Sequence, residues 1–434
     1  MQHVVIGLGK TGIELARYLK KHHQAILVMD SRAKPPELPA WRAIQTDQDR
    51  CILGQLNWSE VNNNSTIWLS PGLPPNLLPD DALVARSIQI KSDIDILMTR
   101  QQRPKIIAVT GSNGKSTVVE MIQHLLKING FSSAIAGNNA RPAVTLIDNH
   151  VDYWIVEVSS FQLHYSADFS PDVGLLLNIS VDHQDWHQSM LHYINSKIKC
   201  INRASCAIVY RPILSNTPIK NTKLISFDDD NPSADWTTIN QQIYAAGKPI
   251  TGVIHMPIQR LNLLAAFATI HALVDQPVVE VYQPKLPYRL ALTAVINDCY
   301  WYNDSKATNI AAMQAALQTI NHIHSQPIVV LILGGFAKCE SIPEIDDTLF
   351  QIVKCVIAFG QAADWISHWV PKSTQVVRCE HLIDTMTIAD RQSHDADVVL
   401  FSPACASFDQ YTSYLERGRH FDELLRNISE TVSC

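Results

Sequence analysis

One stretch of the chain limits the possible folds more than any other. Residues 106–117 read Ile-Ile-Ala-Val-Thr-Gly-Ser-Asn-Gly-Lys-Ser-Thr, an apolar run followed by two glycines, a lysine and hydroxyls. This order predicts a buried strand, a tight turn and a helix that begins near Ser116. The free N–H groups of a helix N-terminus bind phosphate oxygens, Lys115 can reach the β and γ phosphates, and Ser116 can ligate Mg²⁺. The pattern favours a nucleotide triphosphate site in an α/β fold.

The loop is a shortened form of the full phosphate-binding pattern. That pattern has a glycine at the position of Val109, so only Gly-x-x-Gly-Lys-Ser remains here. A turn that binds nothing is the alternative.

Length, charge and cysteine content exclude several classes of protein. The 434 residues predict about three domains, and no apolar run approaches the roughly 18 residues of a membrane span. Nine scattered cysteines form no Cys-x-x-Cys pair, which argues against a zinc site and a disulfide framework. A net charge of −6 without a Lys/Arg cluster argues against nucleic acid. With no signal sequence at the start, we expect a cytoplasmic globular monomer that binds neither membranes nor nucleic acid.

Apolar runs alternate with helical stretches along the whole chain, which is typical of parallel α/β sheets buried on both faces. We predict an α/β protein with three domains: a Rossmann-like domain over residues 1–91, a central P-loop ATPase-like parallel sheet over 92–285, and a C-terminal Rossmann-like domain over 286–434. The Pro-rich segment 282–289 is the candidate linker between the last two.

The N-terminal segment carries a second glycine loop. Gly7-Leu-Gly-Lys-Thr-Gly12 follows a strand-like run, and Asp30 closes the next one, which fits the dinucleotide fingerprint in spacing. Taken alone it suggests NAD with Asp30 on a ribose hydroxyl. Another phosphate-bearing ligand, or a turn without a ligand, fits the same physics.

Polar residues at predicted strand ends are further candidates. Glu157 ends a predicted strand about 40 residues after Lys115. An acidic residue at the end of a strand near a P-loop is usually the second residue that binds the Mg²⁺ ion. Alternatively, Glu157 could simply cap the next helix. His183, in Asp-His-Gln-Asp-Trp-His, becomes a plausible metal ligand near a triphosphate. By composition alone, Lys197 reads as a surface lysine.

Two loops of the last segment complete the candidates. Asp304 and Lys306 follow a predicted strand, on a loop expected to face the nucleotide across a cleft. Ser407 lies in Ser402-Pro-Ala-Cys-Ala-Ser-Phe-Asp409, where small residues permit close approach of a ligand, and capping of a helix is its alternative role.

Taken together, these motifs resemble the Mur ligases of peptidoglycan synthesis over essentially the whole chain. The resemblance rests on ordered motifs in all three predicted domains: Thr110–Thr117, Glu157-Val-Ser-Ser-Phe-Gln-Leu, Asp182-His183, Tyr193-x-x-x-Lys197, Leu286-Pro-Tyr-Arg289, Asn303–Asn309 and Ser402–Tyr411.

The resemblance implies that the chain uses ATP and two Mg²⁺ ions. Lys197 is then N-carboxylated, a change that turns a cation into an anion and explains a lysine at a metal. The implied catalytic residues are Lys115, His183 and Lys197. The implied metal ligands are Ser116, Glu157, His183 and Lys197. The implied nucleotide contacts are Gly111, Ser112, Asn113, Gly114, Lys115, Ser116, Thr117, Asn262, Arg289, Asp304 and Lys306.

The resemblance also implies the other substrates, UDP-N-acetylmuramoyl-L-alanine and D-glutamate, joined through an acyl phosphate. The residues implied for the uridine diphosphate are Lys10, Thr11, Asp30, Ser31, Arg32 and Gly72. Those implied for the sugar and peptide side are Asn138 and Ser159. Those implied for D-glutamate are Thr308, Lys338, Ser407, Phe408 and Tyr414.

Two segments depart from the family pattern. Gly137-Asn-Asn-Ala140 stands where an apolar residue and glycine commonly follow Gly-Asn, so contacts to the sugar could differ. Gly334-Gly-Phe-Ala-Lys338 lacks the acidic residue often found before the lysine, so the role of Lys338 depends on the register of the glycine pair.

Three alternatives stay open at this point. A nicotinamide-dependent oxidoreductase would be built on the Gly7–Gly12 loop. A non-catalytic nucleotide switch would use the P-loop without the metal-site residues. A folylpolyglutamate synthase shares the ligase core but lacks the N-terminal uridine-binding module.

Overall fold

The chain forms two compact units. The computed structural model describes residues 2–22, 25–138, 141–215, 217–221, 223–240, 242–250, 260–338 and 345–432. One unit contains residues 1–179 and 186–284, and the other contains 180–185 and 285–434. Within the described ranges, no helix combines the length and apolarity needed to cross a membrane. The boundaries near residues 91 and 285 stay predictions.

The first sheet has five parallel strands in the order β3-β2-β1-β4-β5. Its strands are β1 (His3–Ile6), β2 (Ile26–Asp30), β3 (Arg50–Leu53), β4 (Thr66–Leu69) and β5 (Gln89–Ser92); the helices are α1 (Lys10–His22), α2 (Leu38–Arg42) and α3 (Asp80–Ala85), with 3-10 helices at Trp58–Glu60, Pro75–Leu77 and Asp93–Thr99. The strand order reverses between β1 and β4. In such sheets the crevice beyond the carboxyl ends at this reversal is where ligands bind.

The second sheet has nine strands in the order β14-β13-β12-β11-β10-β9-β6-β8-β7. Its strands are β6 (Lys105–Thr110), β7 (Ser133–Gly137), β8 (Tyr153–Glu157), β9 (Val173–Leu176), β10 (Cys206–Tyr210), β11 (Leu224–Phe227), β12 (Trp236–Ile239), β13 (Gln242–Ala245) and β14 (Lys248–Pro249). Its helices are α4 (Lys115–Ile128), α5 (Ser160–Tyr165), α6 (Gln184–His187), α7 (Met190–Asn202), α8 (Arg211–Leu214) and α9 (Arg260–Leu273), with a 3-10 helix at Ala143–Leu146. The strand β6 lies between β8 and β9, at the reversal of the strand order.

The third sheet has six strands in the order β15-β16-β20-β17-β18-β19. Its strands are β15 (Ala291–Ile296), β16 (Cys299–Asn303), β17 (Val329–Gly334), β18 (Val353–Phe359), β19 (Gln375–Cys379) and β20 (Val398–Ala404); the helices are α10 (Ile310–His324), α11 (Ala363–Trp369), α12 (Leu382–Ser393) and α13 (Tyr414–Val432), with a 3-10 helix at Asp347–Ile352.

The α/β prediction is confirmed, but two of the three sheets are mixed rather than parallel. The strands β12, β13 and β14 are antiparallel, and β15 is antiparallel to β16. These neighbouring strands are antiparallel because the turns between them are short, whereas parallel neighbours need a crossover of a dozen or more residues. Asn297 and Asp298 join β15 to β16 with φ angles of 49° and 63°, the conformation of a two-residue hairpin turn.

Burial on both faces explains the long apolar runs. Every residue of β1, β8, β17 and β20 is buried. The first two sheets share part of one core, in which Val5 and Trp41 belong to the same apolar cluster as Ile106 and Trp154.

The buried carboxylate of Asp95 joins two segments of the first unit. It lies in the 3-10 helix that follows β5 and is 2 % exposed. Its Oδ1 accepts from Ser166 Oγ at 2.7 Å, Asp168 N at 2.9 Å and Phe169 N at 2.8 Å, and its Oδ2 accepts from Ser92 N at 2.9 Å. Asp95 therefore fixes the turn after α5 to the connection between the two sheets.

We expect Asp95→Ala to lower the free energy of unfolding by about 3 kcal/mol, because several buried donors lose their acceptor together. Denaturant titration followed by circular dichroism measures this. Asp148→Ala is the control, since that side chain is 75 % exposed in its ion pair with Lys21. Equal effects of the two substitutions would contradict the role given to Asp95.

Candidate active site

The phosphate-binding loop, residues 111–117, has the predicted position between β6 and α4. Gly114 is the N-cap of α4 with φ +86°, a left-handed conformation that favours glycine. A Cβ at Gly114 would lie 2.5 Å from Oδ1 of Asn262, which α9 brings against the loop. The predicted nucleotide contact Asn262 is thus next to the P-loop in the first unit.

Two lysines converge on one carbonyl oxygen of this loop. Lys115 Nζ donates to Gly111 O at 2.8 Å and to Ser112 O at 3.0 Å. Lys197 Nζ, from α7, donates to the same Gly111 O at 2.9 Å. Both side-chain nitrogens therefore lie within hydrogen-bond distance of a single oxygen atom. Like charges this close repel one another, which favours an anion at this place.

The helix α7 presents two of its residues to the P-loop. Tyr193 and Lys197 are one helical turn apart and hence on one face. Tyr193 OH is 2.8 Å from Ser112 Oγ, and Lys197 Nζ lies 4.6 Å from the centre of the Tyr193 ring. Lys197 is only 2 % exposed. The surface position suggested by composition is therefore wrong.

Glu157 faces the P-loop rather than capping a helix. Its Oε2 accepts from Ser116 Oγ at 2.6 Å and its Oε1 accepts from Asn138 Nδ2 at 3.1 Å. The N-cap of α5 is instead Ser159, whose side chain accepts from Gln162 N. A carboxylate beside a hydroxyl is an oxygen donor set that suits Mg²⁺. Ser116 and Glu157 thus fit the first of the two predicted ions.

Asn178 is a site residue that the sequence reasoning missed. It lies just beyond β9, next to β6 in the sheet, and clamps the main chain of the P-loop. Its Oδ1 accepts from Asn113 N at 2.8 Å, its Nδ2 donates to Asn113 O at 3.0 Å, and its O accepts from Ser112 N at 2.9 Å. An asparagine after an apolar strand was the available signal.

The residues predicted to bind the uridine diphosphate lie at the carboxyl edge of the first sheet. Lys10 and Thr11 follow β1, Ser31 and Arg32 follow β2, and Gly72 follows β4. These three strands are neighbours in the sheet.

Asp30 holds this edge of the sheet together through hydrogen bonds. Its side chain is 2 % exposed, and Oδ2 accepts from Leu8 N at 2.7 Å and from Arg32 Nη2 at 2.7 Å, while Oδ1 accepts from Arg32 Nε at 2.9 Å. Burial raises the pKa of Asp30, but the bonds from Arg32 and Leu8 outweigh it, so the pKa is lowered. Its carboxylate thus orients Arg32 and the glycine loop.

In the second unit, the predicted residues follow three adjacent strands. Asp304, Lys306 and Thr308 come after β16, Lys338 comes after β17, and Ser407 and Phe408 come after β20. The strand β20 continues to Ala404, so Ser402 is inside it. No helix begins near Ser407, because α13 starts at Tyr414.

Asp304 is deeply buried at the end of β16. Ser402 Oγ donates to its Oδ2 at 2.8 Å, and Leu290 N donates to its Oδ1 at 3.0 Å. Burial raises the pKa of Asp304 to about 7, against the opposing effects of these bonds and of Arg289. Lys306 lies over the ring of Tyr414, with Nζ 3.9 Å from the ring centre, although the two residues are predicted to bind different substrates.

Asp182 supplies a carboxylate to Lys338. Lys338 Nζ donates to Asp182 Oδ1 at 2.9 Å, and Asn309 Nδ2 donates to Asp182 Oδ2 at 3.0 Å. Burial opposes the ionisation of Asp182, but Lys338 and His183 outweigh it and lower the pKa well below its usual value. Lys338 thus has an acidic partner from a distant part of the chain, which the sequence reasoning did not assign.

The register of the glycine pair is defined. Gly334 is paired with Ala404 of β20, and Phe336 forms a bridge with Ala406. In the other departure, residues 139 and 140 lie outside the described part of the chain.

The four predicted metal ligands are divided between the units. Ser116, Glu157 and Lys197 belong to the first unit, and His183 belongs to the second. The main-chain N–H of His183 donates to Asp182 Oδ1 at 2.9 Å. Among the described residues, no group of three or more His, Cys, Asp or Glu side chains is arranged to hold a metal. The predicted ligand set contains only two residues of those types, Glu157 and His183, and both ions stay predictions.

The fold and the P-loop define a nucleotide-binding α/β protein, and comparisons with known proteins give its family. The model of the Mur ligase MurD-like N-terminal domain matches residues 1–91, and that of the Mur ligase middle domain matches residues 109–270. The UDP-N-acetylmuramoylalanine--D-glutamate ligase of Legionella pneumophila (strain Lens) is 33 % identical to this chain, and the matched region covers 98 % of this chain and 99 % of the relative. The one from Acinetobacter baylyi is 31 % identical over 96 % of each chain. The chain belongs to the Mur ligase family.

Solved structures share the fold at low sequence identity. The MurF ligase from Thermotoga maritima in complex with ADP has a TM-score of 0.59 at 16 % identity and covers 98 % of this chain and 95 % of its own. A pseudomurein peptide ligase type C from Methanothermus fervidus has a TM-score of 0.58 at 16 % identity, with 98 % and 99 % covered.

Two histidines pack against α7: His187 is buried and its ring centre lies 5.3 Å from that of Tyr193, and His164 is partly buried with Nδ1 3.4 Å from Ser196 Oγ. His187 Nε2 is 2.9 Å from Ser160 Oγ, and the rings of His164 and His187 both pack against Trp186. Burial, with the charges of Lys199 and Lys197 nearby, lowers the pKa of His164 to about 4 and that of His187 to about 3.

We expect stability to fall as the pH drops below about 6.5. Below that pH the unfolded chain binds protons at both histidines and the folded chain does not. Each histidine therefore lowers the free energy of unfolding by up to about 1.4 kcal/mol per pH unit, until the pH reaches its pKa in the folded chain. Thermal midpoints from pH 7.5 to pH 5 measure this. The double variant His164→Gln/His187→Gln should show a shallower fall. The exposed His322→Gln on α10 serves as control, and an unchanged slope in the double variant would contradict the account.

We expect Asp30→Ala to weaken the binding of uridine diphosphate by about tenfold, because Arg32 and the Leu8 amide lose their common acceptor. Isothermal calorimetry measures this, with ATP affinity as the internal control. Glu14→Ala on α1, which removes a surface ion pair with Arg17, should leave both affinities unchanged. A loss of ATP affinity equal to that of the uridine nucleotide would refute a local role.

Proposed function

We propose that the chain is an ATP-dependent ligase that joins D-glutamate to UDP-N-acetylmuramoyl-L-alanine, with release of ADP and phosphate. The named relatives are UDP-N-acetylmuramoylalanine--D-glutamate ligases, and the similarity runs through all three sheets with nearly full coverage of both chains. The observation that carries the proposal is the meeting of Lys115 and Lys197 at the Gly111 carbonyl. We infer that the reaction takes place in the cytoplasm, where ATP is available.

The chemistry requires activation of a carboxylate. An oxygen of the alanine carboxylate attacks the γ-phosphorus of ATP, so that an acyl phosphate forms and ADP leaves. The D-glutamate amine then attacks the acyl carbon, loses its proton, and the carbon–oxygen bond to phosphate breaks. Each step brings anions together or develops negative charge, so fixed positive groups lower the barrier. Lys115 is in reach of the phosphates, and the N–H groups at the start of α4 point toward them.

Lys197 is proposed to act as an N-carboxylated side chain. The ammonium first loses a proton, and the neutral amine then combines with carbon dioxide to a carbamate with loss of a second proton, so a negative charge replaces the positive one. The repulsion between Lys115 and Lys197 at Gly111 O then becomes attraction. Such a carbamate, with Glu157 and Ser116, would hold divalent cations by oxygen atoms. Bound Mg²⁺ supplies charge neutralisation for the phosphate oxygens.

The residues proposed to bind the uridine nucleotide substrate come before and after the P-loop in the sequence. Lys10, Thr11 and Arg32 would bind the uridine diphosphate at the reversal of the first sheet, where helix α1 begins. Asn138 and Ser159 would contact the sugar and peptide, since they flank Glu157.

The amino-acid pocket is proposed at the carboxyl edge of the third sheet. Thr308, Lys338, Ser407, Phe408 and Tyr414 are the residues that would bind D-glutamate there. Lys338 is a suitable partner for a carboxylate, because its ammonium already binds that of Asp182. A substrate carboxylate would make the same kind of charge-assisted bond.

The direct test is release of phosphate from ATP with UDP-N-acetylmuramoyl-L-alanine and a series of amino acids. We expect release with D-glutamate and a rate at least about a hundredfold lower with L-glutamate, since a pocket built for one configuration leaves polar groups unpaired with the other. Phosphate release without any amino acid, or equal rates with both enantiomers, would overturn the proposal.

We expect Lys197→Ala to lower kcat by about a thousandfold, because a charged group at the transferred phosphate is lost, while the ATP dissociation constant stays within about threefold. Lys199→Ala is the matched control on α7, since its ammonium faces His164 O. In ¹³C NMR spectra recorded with ¹³C-bicarbonate, the wild type should show a carbamate resonance that Lys197→Ala lacks. An active Lys197→Ala variant, or no such resonance in the wild type, would remove the carbamate from the account.

A further inference from the structure

Arg417 is a fully buried arginine to which neither the motifs nor the mechanism gives a role. It lies in the first turn of α13 and is 0 % exposed. Its guanidinium donates hydrogen bonds to the chain that follows three neighbouring strands, β16, β20 and β17. These are the same strand ends that carry the proposed amino-acid pocket.

The five hydrogen bonds use all three guanidinium nitrogens. Nε donates to Ser305 Oγ at 3.1 Å and Nη2 donates to Ser305 O at 2.8 Å, beyond β16. Nη1 donates to Cys405 O at 3.1 Å and Ala406 O at 3.2 Å, beyond β20, and to Gly334 O at 3.3 Å, at the end of β17. One planar group therefore fixes the relative positions of three loops.

Every one of these acceptors is neutral. Within the described residues, no carboxylate lies within ion-pair distance of Arg417, and burial lowers its pKa to about 10, so it stays charged at neutral pH. A buried charge without a carboxylate partner is a costly way to stabilise a fold. The planar fork of arginine, however, can bind several carbonyls in a fixed geometry, which the flexible ammonium of lysine cannot do.

The loops are pressed together over the guanidinium. Phe336 N donates to Ala406 O at 2.8 Å, and Ala406 N donates back to Phe336 O at 3.0 Å. Gly335, with φ +126°, has room for no side chain, because a Cβ there would lie 2.2 Å from Ala406 O and 2.9 Å from Arg417 Nη1. The close approach of the loops that carry Lys338 and Ser407 therefore depends on this glycine and on Arg417.

We propose that Arg417 is a positioning residue that determines amino-acid specificity, because it sets the spacing between the loops of Lys338 and Ser407. A dicarboxylic amino acid that contacts both loops must match this spacing, so Arg417 selects the length of the side chain. D-glutamate fits, and D-aspartate, one methylene shorter, does not. This inference rests on the proposed function.

The test compares D-glutamate and D-aspartate as substrates of the wild type and of Arg417→Lys. The variant keeps the charge but loses the planar fork. We expect the ratio of kcat/KM for D-glutamate over D-aspartate to fall by about tenfold and the KM for D-glutamate to rise by about tenfold. The KM values for ATP and for the uridine nucleotide substrate should stay within about twofold. The exposed Arg419→Lys, on the same helix, is the matched control and should behave as the wild type.

Ser305→Ala provides a milder second variant if Arg417→Lys does not fold. It removes the hydroxyl that accepts from Nε and that also donates to Tyr414 O at 2.9 Å, and the specificity ratio should fall by about threefold at unchanged KM for ATP. An unchanged ratio in the folded variants, or an equal rise of all three KM values, would overturn the positioning role. A wild type that ligates no amino acid at all would instead overturn the proposed function.

Discussion

The carbonyl oxygen of Gly111 is the point on which the candidate active site depends. It receives the ammonium groups of Lys115 from the P-loop and Lys197 from α7. Two ammonium groups therefore meet at one main-chain atom. The hydrogen bonds of Tyr193, Asn178 and Glu157 hold the loop in place around it. A site with this charge favours an anion such as a polyphosphate.

The same principle of construction recurs in all three sheets. Loops that follow neighbouring strands meet at one edge, and a polar group from the scaffold fixes them. Asp30 fulfils this task in the first sheet, Asn178 in the second and Arg417 in the third. None of the three is proposed to react with a substrate. Each one orders main-chain groups or side chains that would.

Much of the fold could be predicted because its signals are local. The strands at 106–109 and 153–157 are apolar runs, and Gly111 and Gly114 after the first of them mark a turn. The hairpin strand β15 was the harder case, since its direction is set by a short turn at Asn297 and Asp298 and not by its composition. An apolar run alone does not distinguish a parallel strand from an antiparallel one.

The site was predictable where residues follow strands and unpredictable where partners are distant in sequence. Lys197 reads as a surface lysine until the fold buries it against Tyr193. The pairing of Lys338 with Asp182 spans more than 150 positions, so no motif contains both. Arg417 lies on an amphipathic helix whose core face carries Phe421 and Leu425, and an arginine on such a helix is usually solvent-exposed. Family resemblance pointed to several of these positions, but the reasons for them are three-dimensional contacts.

The central claim is that the P-loop serves the activation of a carboxylate by phosphoryl transfer. The most direct measurement uses UDP-N-acetylmuramoyl-L-alanine with ¹⁸O in its carboxylate, ATP and D-glutamate, followed by mass spectrometry of the released phosphate. An acyl phosphate passes one of its labelled oxygens to phosphate in every turnover. The account predicts one ¹⁸O atom per phosphate and one in the new amide. Phosphate without ¹⁸O, at normal amide formation, would contradict it.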